Sequence, residues 1–503
     1  MFVVLFCVFG ATSLSAADLR GVGALKRVYD AILDARFDDA RAELKRACGP
    51  APREACDVLA ATTTWWRILI DPDSRALDAR FAAEVDHAIK STEAWAARDP
   101  PNAEAHFYTG AAYAARVQWR VLREETLAAA RDGKRIKQAL ERAIALDPDL
   151  DDAYFGIGLY QYYADVAPAA AKILRFLLML PGGDKTEGLA RVQRTRARGA
   201  LLQGEADYQL HILYLWYERR ADLALELLAS LKDRYPGNPI FAAQIADVQD
   251  RYQHDITASL ASWRALLAAA RNGTVNEVAA AEAQARLGIA RQLEALAQTD
   301  VALEHLRAVL DAKPAKPAGA IAAAYLRLGE GEDRLGHHDA AVAAYRLAIA
   351  AAPSPDSQNV RQRATDRMRR PPDATRADAY RLSLEGLRKF ETSDTSGAEA
   401  LLVRSLQLNP KDPVARYRYG RILQARKEDA AALAAFEAVI RSARECPAPI
   451  AASAYYEAAR LHERLLHKNQ AIDYYRAASG WFGGGADTRA LANRALLRLR
   501  AAK

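Results

Sequence analysis

One pattern of small and large residues recurs along this chain at a fixed phase. Twelve residues after Gly329 comes Ala341, followed by Tyr345, Ala348 and Pro353. The same twelve-residue step joins Gly386 to Ala398, Gly420 to Ala432, Ala459 to Ala471, Ile212 to Ala224 and Ala290 to Ala302. Intervals of 34 residues separate Ile212 from Ala246 and Gly386 from Gly420, and no interval in the series is shorter. Longer intervals read as insertions. A unit of this length cannot bury its apolar face alone, so neighbours must stack into a continuous core. Ala40, Leu44, Ala47 and Pro52 add a further unit upstream. Alanine is the commonest residue and strand formers never gather in alternating runs, which excludes a mainly β protein. With 51% hydrophobic residues the chain is globular rather than disordered.

The spacing resembles the tetratricopeptide repeat, which places small residues where two helices touch, a large one between them, and proline at the turn. The resemblance covers about 20–480. It implies an all-α, right-handed helical solenoid of about ten to eleven helix-turn-helix units, with a concave inner surface. Asp487–Ala502 is expected as a C-terminal capping helix, with Arg489, Arg494 and Arg498 on its outward face. Function in such folds lies in the groove and not in the fold.

Two insertions are informative. After Gly158, Tyr154–Tyr163 leads through Pro168 to the apolar run Ile173–Leu180, then to a Pro181-Gly182-Gly183 turn and a new helix from Gly188. This layout over 154–205 is similar to a segment of the eukaryotic Iml2 and tetratricopeptide repeat protein 39 family, a resemblance that implies membrane-linked roles. Ile173–Leu180 reads either as a helix buried between repeats or as one facing a ligand. The second insertion, at 354–377, carries Pro355, Pro371, Pro372 and six arginines. It predicts a linker between an N-terminal array (18–353) and a C-terminal array with its capping helix (378–503).

Residues 1–17 read as a secretory signal, with apolar Phe2–Gly10 and small residues Ser15 and Ala17 before Asp18. The expected destination is the periplasm or cell envelope. Cys48 and Cys56 flank a Gly-Pro turn, where a disulfide would suit an oxidising compartment; two buried thiols are the alternative. Cys446 is left over.

Signals for chemistry are sparse. No Gly-x-Ser-x-Gly or Gly-x-Gly-x-x-Gly occurs, and Pro181–Thr186 lacks the spacing of a phosphate loop. His462-Glu463-x3-His467 is one residue too long to place both rings on one helix face. Asp147, Asp149, Asp151 and Asp152 suit a helix N-terminus. No catalytic residue, metal or cofactor is expected. The net charge of +7 permits peripheral contact with an anionic membrane. No aromatics interleave with the arginine clusters at 191–198 and 361–376, so nucleic-acid binding is not expected.

The repeat resemblance assigns concave positions to Phe107, Asp152, Phe155, Leu159, Tyr162, Gln209, Leu213 and Trp216, and later to Asp247, Asp250, Arg291, Glu294, Glu330, Asp333, Tyr417, Arg421, Tyr456 and Arg460. The early groove reads aromatic, the middle acidic, the last part more basic. Phe155, Tyr162 and Trp216 would anchor a protein or peptide partner, with Asp152 and Gln209 orienting its polar groups. Inter-repeat core is the competing assignment for each ring. The expected function is therefore an exported, non-enzymatic scaffold; the alternative is a carrier or sensor of a lipid or small hydrophobic ligand, using Tyr162–Leu180.

Overall fold

The computed structural model describes residues 19–166 and 182–501. The expected signal at 1–17 and the apolar run Ile173–Leu180 lie outside the described residues. Among the described residues are 24 α-helices and no strand. The helices fall into two compact units that meet at Tyr235 and Pro236.

Unit 1 holds α1 (Val22–Leu33), α2 (Phe37–Ala47), α3 (Arg53–Leu69), α4 (Asp78–Arg98), α5 (Ala103–Leu122), α6 (Thr126–Leu146), α7 (Ala153–Val166), α8 (Lys185–Arg198), α9 (Gln203–Ile212) and α10 (Ala221–Arg234). Unit 2 begins with α11 (Pro239–Arg251), α12 (Ile256–Arg271), α13 (Val278–Ala295), α14 (Thr299–Ala312), α15 (Ala320–Arg334), α16 (His338–Ala351) and α17 (Val360–Met368). It continues with α18 (Ala374–Glu391), α19 (Thr395–Leu408), α20 (Pro413–Ala425), α21 (Asp429–Arg441), α22 (Ala448–Arg464), α23 (Lys468–Gly480) and α24 (Ala486–Ala501). Apart from α17 and α24, these form eleven packed pairs of consecutive helices, in line with the repeat count expected from the sequence.

One turn geometry builds most of the pairs. Two residues before the second helix, the backbone enters the left-handed region at Ala35, Glu124, Arg219, His254, Ala297, Gly336, Ser393, Lys427 and Leu466. The next residue's N–H then reaches back into the first helix, as from His337 to the Glu332 carbonyl and from His467 to that of His462. This ends one helix and aims the next in a single step. Aspartate and asparagine start many of the first helices. Asn102, Asp373 and Asp412 each accept a hydrogen bond from a backbone N–H in the turn they precede.

The small and large repeat positions meet in the core. Ala40, Ala224, Ala302, Ala341, Ala398, Ala432 and Ala471 are fully buried, with Tyr345, Phe436 and Tyr475 packed beside them. Gly329 is required by the same contact: a Cβ there would lie 2.5 Å from the Tyr345 ring.

Residues 354–377 do not behave as the expected linker. They contain α17, whose Val360 and Ala364 are buried in the cluster of Ala322, Leu326 and Tyr345. Arg363 pairs with Glu330 at 3.0 Å, and Arg361 donates to the Pro353 and Ala352 carbonyls. The insertion adds one helix to the stack, and Arg361 and Arg363 bind groups of the same unit.

Each unit also winds back on itself. In unit 1 the Tyr29 hydroxyl and Trp66 Nε1 both donate to Glu205 on α9 at 3.0 Å, and Tyr235 donates to Asp30 at 3.1 Å. In unit 2 the Ala486 N–H donates to Asp255 at 3.0 Å, and the Phe482 and His254 rings sit 4.8 Å apart. Arg388 bridges to Asp300 at 2.7 and 2.8 Å, and Arg418 reaches the Ala297 carbonyl at 2.7 Å.

Candidate functional site

The winding of unit 1 decides where the predicted groove residues lie. Phe107, Asp152, Phe155, Tyr162, Gln209 and Leu213 are all buried, and Leu159 is half-buried. Trp216 alone of the eight is exposed, at 62%. Inner faces that an open solenoid would present to a partner here converge on one another.

Asp152 shows the consequence most clearly. Its carboxylate accepts backbone N–H groups from Ala200 at 2.9 Å, Leu201 at 3.1 Å and Leu202 at 2.8 Å. These amides belong to the turn that leads from α8 into α9, so the side chain ties that turn down instead of orienting a partner. Burial pushes its carboxyl up, opposed by those three hydrogen bonds. Gln209 donates to Gln118 at 3.2 Å. Tyr162 donates to Glu218 at 2.5 Å, and Lys185 pairs with Glu218 at 3.0 Å.

Phe107, Asp152 and Phe155 line a cavity of ≈ 60 Å³ together with Trp65, Tyr108 and Glu205. Glu205 is the residue that sequence reasoning missed: it sits outside the assigned groove positions, yet it joins α1, α3 and α9. Burial pushes its carboxyl above the usual range, against hydrogen bonds from Tyr29, Trp66 and Gln209. Trp65 Nε1 and the Tyr108 hydroxyl on the cavity wall have no hydrogen-bond partner among the described residues. The space suits bridging waters, each of which needs roughly 10–15 Å³. It is well under the ~150 Å³ that takes up benzene, so an acyl chain does not fit.

His211, next along α9, is buried with its ring 4.8 Å from Tyr208. Burial pushes its imidazole down to about 4. The unfolded chain protonates this ring near pH 6.5 while the folded protein keeps it neutral, so stability rises with pH in that window. The contribution is intact above pH 6.5 and is lost as pH falls towards 4, by roughly 3 kcal/mol. The raised carboxyls of Glu205 and Asp152 act with the opposite sign. Replacing His211 with glutamine should therefore remove acid sensitivity that the wild type shows, measured as urea midpoints at pH 7 and 4.5.

What remains open in unit 1 is a surface at the end of α9. Leu213–Tyr217 forms one π-helical turn, which buries Leu213 and Leu215 and turns Trp216 and Tyr217 outward. Tyr217 stands edge-on to Tyr162 at 5.8 Å and to Tyr163 at 5.6 Å. Trp216 thus projects from a turn whose next residue, Tyr217, is packed on two tyrosines of α7.

In unit 2 the expected acidic middle of the groove is internally neutralised. Arg291 pairs with Asp247 at 2.8 Å and Asp250 at 3.2 Å, and Arg334 pairs with Glu294 at 2.6 Å. Asp333 accepts from Tyr345 and lies 2.7 Å from His338. The basic cluster of α8 is likewise paired from a distance: Arg194 and Arg198 with Asp151, Arg196 with Asp207. Among the described residues, no group of three His, Cys, Asp or Glu is arranged to hold a metal. No described helix is long and apolar enough to cross a membrane. Cys48 and Cys56 are joined as a disulfide with Cα atoms 6.0 Å apart, and Cys446 is a buried free thiol.

Residues 322–355 and 389–454 each match a model of the tetratricopeptide repeat. The chain carries tetratricopeptide repeats. No enzyme family is indicated, and no curated protein matches the chain. Similar solved structures include a tetratricopeptide repeat protein from Parabacteroides merdae, 16% identical over 59% of this chain and 98% of that one, with a TM-score of 0.25. The tetratricopeptide domain of P58(IPK) is 12% identical over 89% and 99%, at a TM-score of 0.24. The TPR2AB domain of yeast Sti1, solved in complex with pHSP90, is 13% identical over 59% and 97%, at 0.23.

Proposed function

We propose that this protein is an exported, non-enzymatic tetratricopeptide scaffold that captures a protein or peptide partner of the cell envelope on unit 1. Trp216 carries the reading. A tryptophan left 62% exposed on a π turn, beside Tyr217 packed edge-on to Tyr162 and Tyr163, has the profile of an interface anchor: large and with few rotatable bonds to immobilise. The repeat fold supports a role in protein interaction. Apolar Phe2–Gly10 and the Cys48–Cys56 disulfide both suit an oxidising destination outside the cytoplasm.

Two measurements test this. Photo-crosslinking from position 216 in the native cell should give one dominant protein adduct. Trp216→Ala should weaken capture of that protein at least tenfold, about 1.4–2 kcal/mol, with unchanged helicity. Capture that survives the substitution would remove Trp216 as the anchor. Export is checked separately by N-terminal sequencing of the mature chain, which should begin at Asp18.

A further inference from the structure

The end of unit 2 holds a cleft of ≈ 670 Å³, within the ~300–1,000 Å³ of ordinary ligand sites. One wall is a face of α22 with Tyr456, Arg460, Glu463 and Arg464; the other is a face of α24 with Leu491, Arg494, Ala495 and Arg498. The second set is spaced i, i+3, i+4, i+7, so one stripe of α24 looks into the cleft. Four arginines thus converge on a space whose lining contains one acid.

That acid is already occupied. Both Glu463 oxygens accept from Arg498 at 2.7 Å, and Tyr475 donates to one of them at 2.9 Å. Arg460 pairs with Glu457 at 2.9 Å and Arg464 with Asp429 at 2.8 Å, but these arginine side chains are about half exposed. Ion pairs of that kind contribute ~0–1 kcal/mol and exchange readily for a better acceptor. Arg494 is exposed and has no ion-pair partner among the described residues. Arg460 lies over the Tyr456 ring, 5.9 Å from its centre.

We propose that this cleft is a docking site for an acidic peptide segment. Guanidinium forks take carboxylates through two parallel hydrogen bonds, and several forks in one concavity select adjacent carboxylates over a single one. Exposed Leu491 at the rim offers contact to an apolar residue of the same peptide. Tyr475 is buried and Tyr456 lies under Arg460, so the cleft offers no free ring for a nucleobase to stack on. The proposal rests on the peptide-binding reading above but places a second contact on the other unit.

The test uses the purified full chain and a fluorescent ten-residue peptide with four glutamates, against the same peptide with four glutamines. Anisotropy titration should show the glutamate peptide binding at least tenfold more tightly, with the difference shrinking as salt screens it. Arg494→Glu combined with Arg460→Glu should weaken the glutamate peptide tenfold or more, with helicity unchanged, while Arg494→Lys keeps part of the affinity. Trp216→Ala should bind this peptide as the wild type does. Equal binding of the two peptides, no effect of the double charge reversal, or binding to phosphatidylglycerol vesicles in place of the peptide would each overturn the proposal. Loss of this site with crosslinking at Trp216 intact leaves the scaffold reading standing, so the two fail separately.

Discussion

Asp152→Ala should destabilise unit 1 by about 3–5 kcal/mol, although the residue occupies a predicted partner-contact position. Its carboxylate accepts three consecutive backbone N–H groups, from Ala200, Leu201 and Leu202, in a buried setting. A buried donor left without an acceptor costs about 1–3 kcal/mol, and hydrogen bonds to a charged group are stronger than neutral ones. Some relaxation and entry of water keeps the total below the simple sum. The check is a urea titration followed by tryptophan fluorescence, to which Trp65 and Trp66 of α3 report. Asp152→Asn, which keeps one acceptor oxygen, should fall between the two. Unaltered stability with lost partner capture would return Asp152 to the interface and refute its role in holding this turn.

The second large effect is expected at Gly188. A Cβ there would lie 2.6 Å from the Gly158 carbonyl oxygen and 2.7 Å from the Tyr162 backbone nitrogen, and a Cβ at Gly158 would meet the Gly188 carbonyl at 2.7 Å. Helices α7 and α8 therefore touch glycine to glycine, backbone against backbone. Side chains can rotate away from an intruding methyl group; backbone cannot. Gly188→Val should cost about 3 kcal/mol or more, at the upper end of overpacking effects. Gly23→Ala, with nothing within 4 Å of the added carbon, is the matched control and should leave thermal unfolding nearly unchanged. This contact gives a physical reason for Gly158 and Gly188 in the layout of 154–205, while Gly156 is set by Leu140 of α6, which a Cβ there would meet at 2.5 Å.

The repeat was legible because its signal is local. Small and large residues one helix apart mark the pairwise contacts, and Ala341 with Tyr345 or Ala432 with Phe436 are buried as the spacing requires. What was not legible depends on how many units lie between two faces. Phe155 or Gln209 at an inward position looks the same in sequence whether the stack stays open or winds shut. Glu205 gave no sign because its partners, Tyr29 and Trp66, stand 176 and 139 residues away. The division at Tyr235 and Pro236 falls inside the interval from Ile212 to Ala246, where the 34-residue phase runs on without an insertion. The prolines and arginines of 354–377 read as a break, yet Val360–Met368 within that segment is a helix with Val360 and Ala364 buried. The partners of Arg194, Arg196 and Arg198 could not be read from the sequence, because Asp151 lies in the turn before α7 and Asp207 on α9.

Stacked repeats ordinarily behave as a zipper. Each unit leans only on its neighbours, so the outermost ones fray first and loss spreads inwards. Unit 2 has its last loop clasped to its first helix pair through Asp255, His254 and Phe482. A bracelet fastened in this way leaves only α11 and α24 beyond the clasp as ends from which peeling can start. Under tension the repeats between Asp255 and Phe482 are shielded until the clasp gives way, and its release should turn that band into an extensible spring.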